Sequence, residues 1–297
     1  MQFVRDMTFE YAAAEPVAPG IRRVVARNPG AFTFHGTGTY ILGEGRIAVV
    51  DPGPDLPEHV DALLACLKDE RITDIVVTHT HLDHSPAARP LKAATGATVH
   101  GFGPHGAGRG GALETRVEEG ADMAFVPDQC VRDGDVIAGP GWTLEAIHTP
   151  GHTSNHLCFA LREADALFSG DHVMGWSTTV VVPPDGDMAA YMTSLDRLLA
   201  RREGTLWPTH GPPVRDPAAH IAALIDHRHA RERQILSALA IGPSTIPHLV
   251  ATIYDDVPKY LHAAAGCSVL AHIIALVERG AVTCDGPPTL EAVYERR

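Results

Sequence analysis

The 297-residue chain sets 24 Lys and Arg against 36 Asp and Glu, a formal net charge of −12, and 45% of its residues are hydrophobic. That length exceeds the usual single domain and is ample for a buried core, while the acidic balance excludes a general attraction to nucleic acid or anionic lipid, a local basic groove aside. Cys66, Cys130, Cys158, Cys267 and Cys284 are odd in number, far apart and form no CxxC pair, which fits reduced thiols better than a disulfide framework.

The start, "MQFVRDMTFE", lacks the apolar core of a signal peptide, and no later run reads as a bilayer span, so the expectation is a soluble, cytoplasmic protein without a membrane partner. The first two-thirds then alternates short β-branched runs with helical patterns. Strands are expected in "RRVVARN", "TYILG" and "RIAVVD", a helix in "PEHVDALLACLKDE", a strand in "DIVVTH" and a helix in "SPAARPLKAAT" opened by Ser85 as N-cap and Pro86. "ATVHGF", "TLEAIHT", "HLCFAL" and "ALFSGD" follow as strands, then the helix "MAAYMTSLDRLLARR" and the strand "GTLWPTH". Consecutive strands without intervening helices predict a mixed sheet and an α/β fold class. From Pro217 the texture changes to a long helix, "PAAHIAALIDHRHARERQILSALA", and the breaker "IGPST". Two more helices, "IPHLVATIY" and "PKYLHAAAGCSVLAHIIALVERG", then lead to strands "AVTCD" and "TLEAVYERR" joined at "GPP", the pattern of a winged helix.

Chemistry concentrates at strand ends. In "THTHLDH", His79 and His81 stand at i and i+2 of an extended segment and face one side, so they can grip one ion together. Asp83 and His84 follow where the backbone turns. His152 comes after a strand and a Pro-Gly turn, Asp171 ends "ALFSGD", and His210 ends "TLWPTH". Converging on one sheet edge, these seven suit two borderline metals bridged by a carboxylate, with no thiolate involved.

This order of HxHxDH, His, Asp and His resembles the metallo-β-lactamase-fold hydrolases over roughly residues 20 to 215. The resemblance implies a four-layer αββα sandwich, one metal on His79, His81 and His152, a second on Asp83, His84 and His210, and Asp171 as the bridge. It also implies that Asp51 in "VVDPG" braces the ligand-bearing loop, against the alternative of an ordinary turn aspartate before proline. "IYDDVPKYLHAAA" and "LAHIIALVERG" further resemble the β-lactamase-like protein 2 branch, whose members append a winged helix. The resulting domains are a catalytic unit over 1–216 and a linker helix with a winged-helix-like unit over 217–297.

Two divalent ions, about 3.5 to 4 Å apart, would lower the pKa of a shared water and supply a metal-bridging hydroxide as nucleophile. Zinc is the default, with iron and manganese open. Asp83 is the catalytic candidate that holds or accepts the proton of the attacking water. His156 and His172, beside ligand turns, are candidates for touching substrate or protonating the leaving group, with a hydrogen-bonded bystander role as the plainer reading; His148 is read as structural. "GFGPHG" fits GxGxxG without a following helix, so dinucleotide binding is set aside and Gly101 to Gly111 is read as a loop, closing over the metals or merely solvated. Trp176 and "STTVVVPP" line the pocket or fill the core. The arginines of "HRHARERQ" are read as an exposed helix face.

The leading function is hydrolysis of a small thioester, ester or lactone. Its alternative is an endoribonuclease on single-stranded RNA, and a ligand- or metal-sensing winged-helix regulator is the alternative of another class. From Ser244 on, Lys259, Arg279, Arg296 and Arg297 are outnumbered by Asp255, Asp256, Glu278, Asp285, Glu291 and Glu295, a poor phosphate surface. No DNA partner is expected, and the last unit is read as a packing or homo-oligomerising module.

Overall fold

The computed structural model describes residues 3–109, 120–255 and 258–297. Its first sheet takes seven strands in chain order: β1 (Glu15–Ala18), β2 (Ile21–Val25), β3 (Gly38–Leu42), β4 (Arg46–Val50), β5 (Arg71–Val76), β6 (Thr98–Gly101) and β7 (Gln129–Cys130). β1 to β4 pair antiparallel, and β4 to β7 pair parallel. The parallel steps need crossovers, and α1 (Pro57–Cys66) and α2 (Ala88–Thr95) supply two of them. The second sheet contains β8 (Val136–Gly139), β9 (Trp142–His148), β10 (Leu157–Leu161), β11 (Ala166–Gly170) and β12 (Thr205–Pro208). It is antiparallel except for β11 and β12, which α3 (Met188–Leu199) joins as a parallel pair.

The two sheets face each other across Tyr40, Trp142, Phe159, Phe168 and Trp207. The helices α1 and α2 cover the far side of the first sheet through Leu63 and Leu91, and α3 covers the second through Tyr191 and Leu195. This is a helix, sheet, sheet, helix sandwich, and it explains the unbroken apolar runs. "GTYIL" in β3 and "LCFAL" in β10 are buried at every position because each is covered on both faces.

Beyond the sandwich come α4 (Pro217–Leu239), β13 (Ser244–Thr245), α5 (Ile246–Ile253), a 3-10 turn (Lys259–Leu261), α6 (His262–Glu278), β14 (Val282–Cys284) and β15 (Val293–Arg296). The three strands form one small antiparallel sheet, and Ile235, Leu249, Val269, Ile273, Leu276 and Tyr294 form that unit's core. Its helices also reach the sandwich: Leu224 of α4 and Ala271 and Ala275 of α6 join the cluster around α3.

Four expectations need correction. The helix after the histidines begins at Ala88 with Ala87 at the N-cap, because the Ser85 hydroxyl donates to Asp122 Oδ2 at 2.9 Å and does not cap. The sequence segment read as one helix from Pro258 opens with the 3-10 turn. By length and composition, Lys259–Glu278 is apolar enough to cross a bilayer, contrary to the sequence reading; Val269, Ile273 and Leu276 spend that apolarity on the C-terminal core. β1, β7, β8 and β13 escaped the sequence reading because they are two to four residues long, too short for alternation to register. Of the Gly101 to Gly111 loop, Gly110 and Gly111 lie outside the described residues. Gly108 packs so closely that a Cβ there would fall 1.9 Å from Ser154 O.

Candidate metal centre

The ends of β5, β9, β11 and β12 deliver the chemistry to one sheet edge. Past β5 the chain extends through Val77 and Thr78, and His79 Nε2 lies 3.0 Å from His81 Nδ1. His152, on the turn after β9, brings its Nε2 to 3.0 Å from the same His81 atom. That turn needs glycine: Gly151 has φ +140, and a Cβ on it would meet Tyr191 Cα at 2.3 Å. A second triad gathers beside the first. His210 Nε2 lies 3.1 Å from Asp83 Oδ2, and His84 Nε2 lies 3.6 Å from Asp83 Oδ1. In each triad the candidate ligand atoms fall within 4.8 Å of one another.

Asp171 stands between them. Its Oδ2 lies 3.8 Å from His152 Nε2, while its Oδ1 lies 3.5 Å from His210 Nε2 and 3.6 Å from His84 Nε2. All seven residues singled out from sequence are therefore neighbours in space. Asp83 is the solvent-facing carboxylate, with 26% of its side chain exposed against 10% for Asp171.

The far side of each ring decides what its inner nitrogen can do. His152 Nδ1 donates to Val180 O at 2.6 Å, His84 Nδ1 to Asp51 Oδ2 at 2.9 Å, and His210 Nδ1 to Gly36 O at 3.3 Å. The Thr78 hydroxyl gives its one hydrogen to Asp51 Oδ2 at 2.8 Å, so it accepts from His79 Nδ1 at 3.1 Å. In all four rings Nδ1 is held on the outer side, which leaves Nε2 turned inward, the nitrogen a metal would take. Asp51, at φ +49, also accepts the Thr78 amide at 2.8 Å and the Thr209 hydroxyl at 2.7 Å. One carboxylate thus ties the segments carrying His79, His84 and His210.

Electrostatics separates the two halves. Burial and the neighbouring rings hold His79 far below its usual range, and burial with His152 pushes His81 down to about 3, so both are neutral donors of electron pairs. Burial opposes charge on His84 too, but Asp83, Asp171 and Asp51 together drive it well above its usual range. Burial disfavours ionised Asp83 and Asp171, yet His84 and His210 hold both carboxyls far below the ordinary carboxylate range. Two ionised carboxylates enclosed with imidazoles call for positive charge. His84 Nε2, His210 Nε2 and Asp171 Oδ1 are buried without a hydrogen-bond partner among the described residues. Orphaned polar atoms facing one another fit divalent cations, which would displace any proton on the rings, and the all-nitrogen-and-oxygen donor set fits zinc, iron or manganese.

The metallo-beta-lactamase superfamily model matches residues 33–210, and the beta-lactamase associated winged helix model matches 245–287. This chain belongs to the metallo-beta-lactamase superfamily. It is 34% identical to an atrochrysone carboxyl ACP thioesterase of Aspergillus chevalieri, over 82% of this chain and 76% of that one. A beta-lactamase-like protein 2 homolog of Drosophila melanogaster is 30% identical, with 90% and 91% covered. A metallo-beta-lactamase family protein of Thermus thermophilus superposes with a TM-score of 0.76 at 25% identity, covering 95% of this chain and all of that one. The superfamily membership makes the chain a hydrolase, with the α/β sandwich and C-terminal winged helix expected from its sequence.

His156 and His172 are enclosed, away from solvent. Both are fully buried; His156 Nε2 accepts the Asp171 amide at 3.2 Å and its Nδ1 meets the Thr149 hydroxyl at 2.9 Å, while His172 packs on the Tyr191 ring. Burial holds both rings below their usual range, His172 at about 3, which with their enclosure favours the bystander reading over that of a proton donor. His148 is tied down as a structural group, its Nε2 bonded to Ser154 O at 2.9 Å and its ring stacked on Phe102. Val181 is core, whereas Trp176 is half-buried and stacks on Phe34 at 4.8 Å. The "HRHARERQ" run is no exposed face throughout: Arg228 is buried. Thr78, Thr209 and Val180 were missed as ring-orienting groups. The alternation Thr-His-Thr-His and the "PTH" before Gly211 were the available signal for the threonines.

Proposed function

We propose that this protein is a dinuclear-metal-dependent hydrolase of thioesters, with esters and lactones as chemically related substrates. The observation that carries the reading is Asp171, whose two oxygens divide between two triads. His79, His81 and His152 would hold one ion, Asp83, His84 and His210 the other, with zinc the expected metal. When bound, such a pair polarises a carbonyl oxygen and brings the pKa of water toward neutrality. The chain itself does the rest. Inward-facing nitrogens and the bridging carboxylate fix the donor geometry, and Asp51 keeps it fixed through Thr78, Thr209 and His84. Asp83 is ionised and solvent-facing at the mouth, placed to take the proton of the attacking water. No serine or cysteine nucleophile is needed. The thioesterase named among the relatives supports thioester as substrate class.

The test is a parallel assay of metal-loaded protein on thioesters, lactones, β-lactams and labelled single-stranded RNA, each with a chelated control. Thioester cleavage that chelation abolishes is the expected result. Cleavage of RNA alone, or thioester turnover indifferent to chelation, overturns the reading.

A further inference from the structure

Behind the ligand loops lies a charge that the site's own chemistry leaves without a role. Arg228, in the middle of α4, is 3% exposed. Its contacts among the described residues are a carbonyl and a ring: Nη2 donates to Thr179 O, and Cζ sits 5.2 Å from the centroid of Tyr191. Its Nε has no partner among them. A buried guanidinium without a carboxylate opposes folding unless its contacts matter, and the segment it grips is unusual. The Thr179 hydroxyl lies 2.7 Å from Asp171 O and 2.9 Å from His172 O. The next carbonyl, Val180 O, accepts the Nδ1 hydrogen of His152 at 2.6 Å. Tyr191, under the guanidinium, donates its hydroxyl to His172 O at 3.0 Å. Arg228 therefore holds the strap between the bridging carboxylate and one ring of the first triad.

We propose that Arg228 is a positioning residue for the first metal triad: it anchors the Thr179–Val180 peptide so that Val180 O orients His152, and it thereby makes metal affinity depend on α4. This rests on the reading of His79, His81 and His152 as ligands of one ion. Coupling of this kind is reciprocal, so metal binding also tightens α4 against the sandwich. Arg231 is the internal comparison. One turn further along the same helix, it donates to Ile253 O at 3.0 Å and stacks 3.8 Å over Tyr254, both in the C-terminal unit.

The experiment titrates metal-free protein with Zn2+ against a chromophoric chelator, and with Co2+ by visible absorption, for wild type, Arg228→Met, Arg228→Lys and Arg231→Met. Expected are two ions in wild type, a loss of about 10- to 100-fold in affinity for one of the two in Arg228→Met, and partial recovery in Arg228→Lys. Arg231→Met should bind as wild type. An Arg228→Met protein that melts earlier yet binds both ions with wild-type affinity and spectrum reduces Arg228 to packing and overturns the proposal. Should Arg228→Met fail to fold, amide exchange of wild-type α4 decides: at least several-fold slower exchange with metal supports it, and equal rates overturn it. Wild type that binds no metal at all overturns the metal reading itself, a separate and recognisable outcome.

Discussion

Asp83 and Asp171 are both ligand-type aspartates, yet their surroundings give them different work. Asp171 is enclosed, with an oxygen toward each triad, while Asp83 keeps a quarter of its side chain in solvent. A group that exchanges protons with water belongs at the second position. Asp83→Ala should lower kcat for an activated thioester on the order of 10²- to 10⁴-fold with an unchanged circular dichroism spectrum; retention of full turnover would remove Asp83 from the chemistry. The seven candidate ligands were legible because imidazole and carboxylate at strand ends have few other uses. Their supports were not. Thr78, Thr209 and Thr179 read as ordinary strand or loop threonines, since a hydroxyl bonded to Asp51 or Asp171 reaches across 158 residues in one case and 8 in another. Arg228 sat in a charged run whose commonest use is solvated, and only the packing of α4 on α3 reveals its burial.

At the scale of elements, turns set the ligands as much as strands do. The Pro-Gly turn after β9 lies against the start of α3 with no room for a methyl group. Gly151→Ala should therefore cost roughly 1–3 kcal/mol of stability and weaken metal binding, read by thermal melts and chelator competition; a neutral outcome would mean the turn relaxes without moving His152. On the opposite layer, α1 carries His59, 2% exposed and bonded through Nε2 to Thr39 Oγ1 at 2.9 Å. Burial lowers its pKa from 6.5 to about 4. Between those values the unfolded chain binds the proton more readily, so this contribution is whole above pH 6.5 and is lost as pH falls toward 4, worth about 3 kcal/mol. His59→Gln should show a shallower fall in urea-unfolding stability from pH 7 to pH 4 than the wild type. An identical fall would place the acid sensitivity elsewhere. The long buried strands and helices were readable from sequence, since apolar runs and 3.6-residue periodicity survive in them. The short strands at sheet edges were set by pairing partners far away in the chain, which local pattern does not encode.

For the molecule as a whole, the dinuclear reading predicts that the enclosed carboxylates and imidazoles link folding to metal. Ions bound only by the folded state stabilise it by mass action, so saturating Zn2+ should raise the melting temperature by roughly 10 °C over chelated protein. Identical melting with and without chelator would contradict a metal site in this position. The change of texture at Pro217 marks the start of α4; the docking of α4 and α6 on α3 was not readable, because alanines such as Ala271 and Ala275 mark a helix contact without naming its partner. β12, which carries the chain to His210, pairs with β11 only after α3 has crossed over. During synthesis the second triad consequently stays one imidazole short until the final strand of the sandwich leaves the ribosome. Donors of this hardness discriminate poorly among first-row cations. Under the dinuclear reading, the ion acquired would therefore follow which metals are at hand when the last strand folds as well as the geometry of the cradle.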